Sequence, residues 1–331
     1  MSGTDARPLR VGLIGAGVMG AVHAQAWQRL PGVLSAMYTP DESARRLARQ
    51  YNLTGCDTLE DLHAQVDILD ICTPTLTHRP LALGAAQAGL HVICEKPLAL
   101  SLEDARAIVT GCRNAGVRLF VAQVVRFFLP YREARRRVAV GEIGSPRVLR
   151  LSRVGSPPPP GSWLHDEAQS GGIPVDLMVH DLDYARWVAG EVESVYAVQG
   201  RRGHQIMVQA TLRHVGGAIS FVEGGWAAPA GVFRTSLDLA GTAGLIQWTS
   251  DQPPALLAHG PAVQTEQTGA ALPAPEGDPY ADELEHAYHS IQTGEPFLVS
   301  DRDALSALSL GLAVRHSLES AQAVSPMEVA L

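Results

Sequence analysis

Three groups of residues in this 331-residue chain have types and spacings that can do chemistry. The first is Gly15-Ala-Gly17-Val18-Met19-Gly20, directly after an apolar run. Glycines so spaced permit a tight turn and let the backbone approach a pyrophosphate closely. The helix that follows offers N–H donors and a favourable dipole. The second is Lys96, in Cys94-Glu95-Lys96-Pro97, where the chain's 26 basic residues comprise 25 arginines and this single lysine. An ammonium is compact and its charge can be tuned, whereas a guanidinium is planar and permanently charged. The third is the pair Asp176 and His180, at i and i+4 of a segment predicted to be one helix. A carboxylate beside an imidazole sets its tautomer and orientation, which a general base near neutral pH requires. No third ligand at metal-binding spacing accompanies the pair, so no metal is expected.

These groups need a scaffold, and the apolar pattern supplies one. Candidate strands at Leu9–Ile14, Val33–Tyr38, Val66–Cys72, Leu90–Cys94 and Val117–Ala122 alternate with amphipathic stretches at Glu42–Tyr51, Arg79–Ala88 and Glu103–Ala115. Capping boxes Thr58…Asp61 and Ser101…Asp104 mark two helix starts. Alternation at this pitch predicts a parallel, doubly wound sheet, with Lys96 at the carboxyl edge where such sheets bind ligands. After Gln123 the pattern changes. Period-2 segments at Arg147–Arg153, Val195–Gln199, Gln205–Leu212, Ala218–Val222 and Arg234–Leu239, with helices at Leu177–Val188 and Ala281–Gln292, predict an open, largely antiparallel sheet with helices on one face. The expected division is residues 1–123 as an α/β Rossmann domain and residues 124–331 as an α+β domain.

Composition narrows the function. With 46% hydrophobic and 18% charged residues the chain is ordinary globular protein. A net charge of −8 disfavours nucleic acid, whose phosphates need clustered positive charge. The one basic cluster, Arg132, Arg135, Arg136 and Arg137, has helical spacing and reads as a solvated helix face. No run is long and apolar enough for a membrane span, and MSGTDARPLR lacks the apolar core of a signal peptide, so a cytoplasmic location is expected. Cys56, Cys72, Cys94 and Cys112 form no CxxC pair and read as buried free thiols. Pro157–Pro160 reads as a rigid loop beside Trp163.

Assembled, the motifs GAGVMG, CTPTLTH, AGLHVICEKPLAL, VVRFFLPY with GEIG, and SGGIPVDLMVHDLD resemble those of the Gfo/Idh/MocA oxidoreductase family. The late segment YADELEHAYHSIQTGEPFLVSDRDALSALSL extends the resemblance nearly end to end. The resemblance implies NAD or NADP as cofactor, bound by Gly15, Gly17, Val18, Met19, Gly20, Thr39, Thr73, Pro74, His78, Glu95, Lys96 and Gln123. It implies Lys96 and His180 at the reacting carbon of a substrate, with Asp176 beside them and Arg126 and Trp163 bordering the substrate. The implied reaction is hydride transfer between the nicotinamide and a secondary alcohol or ketone of a sugar, polyol or related carbohydrate. Relatives that hydrolyse glycosides, or bind dinucleotide as regulators, are the alternatives. A homo-oligomer, dimer or tetramer, formed through the open sheet is also implied. Two positions depart from the family pattern. Thr39 stands where an acid is frequent, which leaves NAD and NADP both open, and Ile173-Pro174 replaces a small or aliphatic pair.

Overall fold

Short strands buried on both sides, such as Val11–Ile14 and Ile68–Ile71, build the first sheet of the computed structural model. The structure describes residues 7–251, 257–259 and 277–327. In chain order the first sheet's elements are β1 (Val11–Ile14), α1 (Val18–Ala26), β2 (Leu34–Tyr38), α2 (Glu42–Gln50), β3 (Thr54–Cys56), α3 (Leu59–His63), β4 (Ile68–Ile71), α4 (His78–Gln87), β5 (His91–Glu95), α5 (Leu102–Asn114) and β6 (Leu119–Ala122). The six strands run parallel in the order β3-β2-β1-β4-β5-β6. The order reverses between β1 and β4, which opens a crevice at the carboxyl ends of those strands. Both capping signals hold, with Thr58 Oγ1 accepting the Asp61 N–H and Ser101 Oγ the Asp104 N–H, each at 3.1 Å. The edge strand β3 was not legible in the pattern, because it has three residues and exposes two of them.

The second sheet follows α6 (Leu129–Ala139) and begins with β7 (Pro146–Gly155). Three short helices, α7 (Glu167–Ser170), α8 (Gly172–Asp176) and α9 (Val179–Ala189), then lead to β8 (Val192–Arg202), β9 (Gln205–His214), β10 (Ile219–Trp226), β11 (Phe233–Gly241), β12 (Leu245–Thr249) and β13 (Leu257–His259). Its order is β13-β12-β11-β7-β10-β9-β8, antiparallel except for the β7–β10 pair. Helices α10 (Pro279–Thr293) and α11 (Asp301–Ser320) close the chain. Alternate residues such as Leu149, Leu151, Val222 and Leu237 join Leu182, Tyr184 and Val314 in one buried core.

Three expectations need correction. First, the chain does not divide into two contiguous blocks, because residues 280–301 pack with residues up to 122 while residues 123–279 and 302–330 form the other unit. Specific bonds hold α10 in the first unit: the Tyr288 hydroxyl accepts the Leu9 N–H at 3.0 Å, and Arg29 pairs with Asp282 and Glu285. Second, the basic cluster is only half solvated. Arg132 and Arg136 are exposed, but Arg137 is buried against Glu133 and Glu142, and Arg135 donates to the Trp187 carbonyl. Third, the segment carrying Asp176 and His180 is not one regular helix, since α8 and α9 are separate. Among the described residues no helix is long and apolar enough to cross a membrane, and all four cysteines are buried and free.

Candidate functional site

The glycine turn divides its labour. Gly15 has φ +109°, and a Cβ there would strike the Cys72 carbonyl of the neighbouring strand end. A Cβ on Gly20 would strike the Gly15 carbonyl, so these two glycines are required by the protein itself. Gly17 differs, since a Cβ built on it meets no atom of the described residues within 4 Å. Gly17 is also the extended N-cap of α1, with no side-chain cap and no acid in the first turn. An uncapped, acid-free helix start beside open space suits a pyrophosphate. Val18 is 81% exposed at that start.

The other cofactor candidates fall into two kinds. Gln123, directly after β6, is 2% exposed and its side-chain carbonyl oxygen has no hydrogen-bond donor among the described residues. A buried acceptor left open fits a donor from a ligand. Thr73 is half-buried and accepts the Thr77 hydroxyl at 2.6 Å, and Pro74 is exposed. Thr39 and His78 instead turn into the protein. The buried Thr39 hydroxyl donates to the Cys56 carbonyl at 3.1 Å. His78 is 1% exposed, with Nδ1 at 3.0 Å from the Pro97 carbonyl and Nε2 at 2.9 Å from that of Thr73. Burial lowers its pKa against the opposing pull of the two carbonyls, and the ring lies between the two loops.

Lys96 stands out by exposure. From Val92 to Ala99 every residue is buried except Lys96, which is half-exposed. The Lys96–Pro97 peptide is cis. The Lys96 N–H donates to Glu95 Oε2 at 3.0 Å, and the Pro97 carbonyl faces His78, so the backbone on both sides of the side chain is held.

The same signature recurs at the third group. From Gly171 to Ala185 the chain is buried except at Asp176 and His180, both half-exposed. The break between α8 and α9 is a wide turn: the Met178 N–H reaches back five residues to the Ile173 carbonyl at 2.9 Å. Such π-type turns re-aim the side chains beyond them. Neighbours pack hard on this segment. A Cβ on Gly224 of β10 would strike Met178, and one on Gly311 of α11 would lie 2.9 Å from the Pro174 carbonyl. The other two acids of Asp176-Leu-Met-Val-His180-Asp181-Leu-Asp183 are fully engaged in the core. Asp181 binds Arg153 at 2.6 and 3.2 Å, and Asp183 binds Arg126 at 2.6 and 2.7 Å.

Arg126 is therefore placed differently from a residue bordering a substrate. It is 1% exposed, forked onto Asp183, within 3.3 Å of Asp303, and its guanidinium lies 5.0 Å from the centre of the Trp187 ring. Burial opposes its charge, but the Asp183 carboxylate overrides burial and raises its pKa. Trp163, in a short turn before α7, is half-buried.

Sequence reasoning missed a polar cluster beneath the glycine turn. His23 on α1 is fully buried, with Nδ1 3.0 Å from Asp70 of β4 and Nε2 3.1 Å from Glu95 of β5. Trp27 Nε1 donates to Asp70 at 2.8 Å, and the Cys72 thiol lies 3.7 Å from the same carboxyl. His23, Asp70 and Cys72 together have metal-ligand types within 4.8 Å of one another, but their atoms already satisfy each other as hydrogen bonds. One signal was available: a lone imidazole on a helix of otherwise small and apolar residues, three positions after the last motif glycine.

Comparison with known proteins agrees with this architecture. Residues 9–123 match the model of an oxidoreductase family with an NAD-binding Rossmann fold, and residues 131–247 match the Gfo/Idh/MocA C-terminal domain. A myo-inositol 2-dehydrogenase from Thermotoga maritima is 29% identical over 97% of this chain and 99% of its own. A 1,5-anhydro-D-fructose reductase from Ensifer adhaerens is 34% identical over 64% of this chain and 67% of its own. The crystal structure of an oxidoreductase from Agrobacterium radiobacter, in complex with NAD+, L-tartaric acid and magnesium, superposes with a TM-score of 0.85 at 26% identity, covering 96% of this chain and 98% of that one. With residues 9–123 and 131–247 both matched, this chain belongs to the Gfo/Idh/MocA family of NAD-binding oxidoreductases.

Proposed function

We propose that the protein is an NAD-dependent dehydrogenase acting on a secondary alcohol of a polyol or sugar. The observation that carries this reading is the exposure pattern: in two otherwise buried stretches the chain surfaces only Lys96, Asp176 and His180. Ionisable groups that surface from a buried surround can reach a ligand there, which makes them candidates for acting on it. The relatives named for inositol and anhydrofructose chemistry support a carbohydrate substrate.

In the proposed reaction His180 accepts the substrate hydroxyl proton, and Asp176 orients the imidazole. Lys96 donates a hydrogen bond to the same oxygen and stabilises the negative charge that develops on it. Bound at the Gly17 turn, the dinucleotide supplies the hydride acceptor. Gly17 and the first turn of α1 would hold its pyrophosphate, and Gln123 would accept from its nicotinamide end. Arg126 acts at one remove, holding α9 through Asp183. Four buried free thiols fit a reducing, cytoplasmic compartment.

The test is absorbance of reduced nicotinamide with NAD and with NADP against inositols, aldoses and sugar acids, with Lys96→Ala alongside. Reduction by the parent protein and none by the variant establishes the dehydrogenase. Glycoside cleavage without net absorbance change, or dinucleotide binding without any turnover, would reject it.

The second sheet supports self-association. Its outer face carries Tyr196, Val198, Ile219 and Phe221, 45, 50, 39 and 37% exposed, with Tyr196 and Phe221 flanking Thr211 in register. Apolar patches of this kind mark interfaces. A homo-oligomer through this face predicts that Phe221→Glu lowers the mass measured by light scattering; an unchanged mass removes this face from the assembly.

A further inference from the structure

We infer that His23 is a positioning residue for Lys96, acting through Glu95. The inference rests on the reading of Lys96 as a group that acts on substrate, and goes beyond it by naming what aims that group. A continuous chain of bonds carries it. Trp27 Nε1 donates to Asp70, Asp70 meets His23 Nδ1, His23 Nε2 meets Glu95 Oε1, and Glu95 Oε2 accepts the Lys96 N–H. The links come from α1, the turn at Trp27 that follows it, β4 and β5, so the helix that begins at the glycine turn is tied to the residue that precedes Lys96.

Geometry sets the protonation state. Both ring nitrogens face a carboxyl oxygen at 3.0–3.1 Å. A neutral imidazole has one N–H and would aim a lone pair at the second carboxylate, whereas an imidazolium donates to both. The groups facing His23 are Asp70 and Cys72 from the β4 end, Glu95 from β5 and Glu283 from α10. Burial works against a charged ring, but Asp70 and Cys72 together more than offset it and hold the His23 pKa well above the usual histidine range. Glu283 is fully buried with neither carboxyl oxygen hydrogen-bonded among the described residues. Burial, then the Glu95 charge, raise its pKa well above the carboxylate range. His23 thus holds Glu95 in one orientation from below, while His78 holds the Pro97 carbonyl on the other side.

The single lysine makes the test direct. Protein grown with ¹³Cε-lysine gives one side-chain resonance, from Lys96, whether or not the substrate is known. In protein grown with ¹⁵N-histidine, those signals of the twelve histidines that vanish in His23→Gln identify His23, whose two ring nitrogens are expected to stay protonated across the usual histidine range. In His23→Gln the Lys96 resonance should move. With a substrate, turnover should fall by about 10²-fold, as for a misplaced catalytic group, while KM for NAD changes little. Glu95→Gln keeps the shape and should reproduce the shift if His23→Gln does not fold. A His23 ring that titrates as a neutral imidazole in this range, or a Lys96 resonance unmoved in a folded variant, overturns the inference. Loss of NADH binding with an unmoved Lys96 signal would assign His23 to the dinucleotide helix alone. Activity retained in Lys96→Ala would instead overturn the functional reading, independently of the His23 result.

Discussion

The glycine turn of the first unit and the Asp176–His180 segment of the second are built by opposite means. In the first, the backbone itself makes the feature: a left-handed Gly15, a close Gly20 contact and an open Gly17 lie within six residues. In the second, side chains make it, and what aims them is remote in sequence. Arg153 of β7 and Arg126 anchor α9 through Asp181 and Asp183, while Gly224 and Gly311 let a strand and a helix approach the wide turn. A local device can be read from a motif. A distributed one is seen only when the partners meet.

The largest expected effect probes the functional groups themselves. Lys96→Ala should lower kcat by about 10²- to 10³-fold, the loss typical of one donor to a developing oxyanion, while NAD affinity measured by fluorescence stays close to that of the parent. An equal loss of affinity would make Lys96 part of the backbone device and erase the contrast drawn above.

Next comes the anchoring of α9. Arg153→Met leaves the Asp181 carboxylate buried without its cation and should destabilise the protein by about 3–5 kcal/mol in urea titrations. Pairing it with Asp181→Leu should recover most of that loss, because two apolar groups need no ion pair. If the double variant is no better than the single one, the anchoring is not electrostatic.

The glycines separate ligand from fold. Gly17→Ala should weaken NAD binding by about tenfold or more with Tm little changed, since the added Cβ meets no atom of the described residues. Gly15→Val should lower Tm whether or not NAD is present, because the strand end occupies its space and φ is +109°. Parallel loss of Tm in both variants would assign Gly17 to the fold.

The smallest effect lies at the rim of the first sheet, where Asp67 is bonded by Arg7 and Arg10. The hydrogen bonds from Arg7 hold its pKa well below the carboxylate range. A depressed folded-state value stabilises the protein above the unfolded value near 3.9, and that contribution fades as pH falls below about 5. Asp67→Asn should therefore lower Tm slightly at pH 7, by about 2 °C or less given the exposure of Arg7, and the gap should begin to narrow as pH falls from about 5 toward 3, with part of it remaining because the folded-state value lies lower still. A gap wholly unchanged between about pH 5 and pH 3 would mean that charge is not its origin.

Much of the first unit was legible from its residues. Apolar runs of four or five residues between capped helices describe a buried parallel sheet, and Thr58 and Ser101 cap where their spacing says they should. The alternation of Leu149, Leu151 and Arg153 along β7 also contains the inward aim of Arg153. Less was legible where pairing is distant. Residues 280–301 read as part of the second domain by position, and only the bonds from Tyr288 and Arg29 return them to the first.

What the residue order determined by itself is the local grammar: glycines at a strand end, a solitary lysine before proline, caps, and the two periods that distinguish the sheets. These depend on steric and hydrogen-bonding preferences within a few residues. Only the tertiary structure decided which charges are exposed. It buried Arg126, Asp181 and Asp183 as ion pairs, set His23 between Asp70 and Glu95, and broke the helix between Asp176 and His180. A polar group's role depends on whether a partner reaches it inside the core, and those partners come from elements far away in the chain.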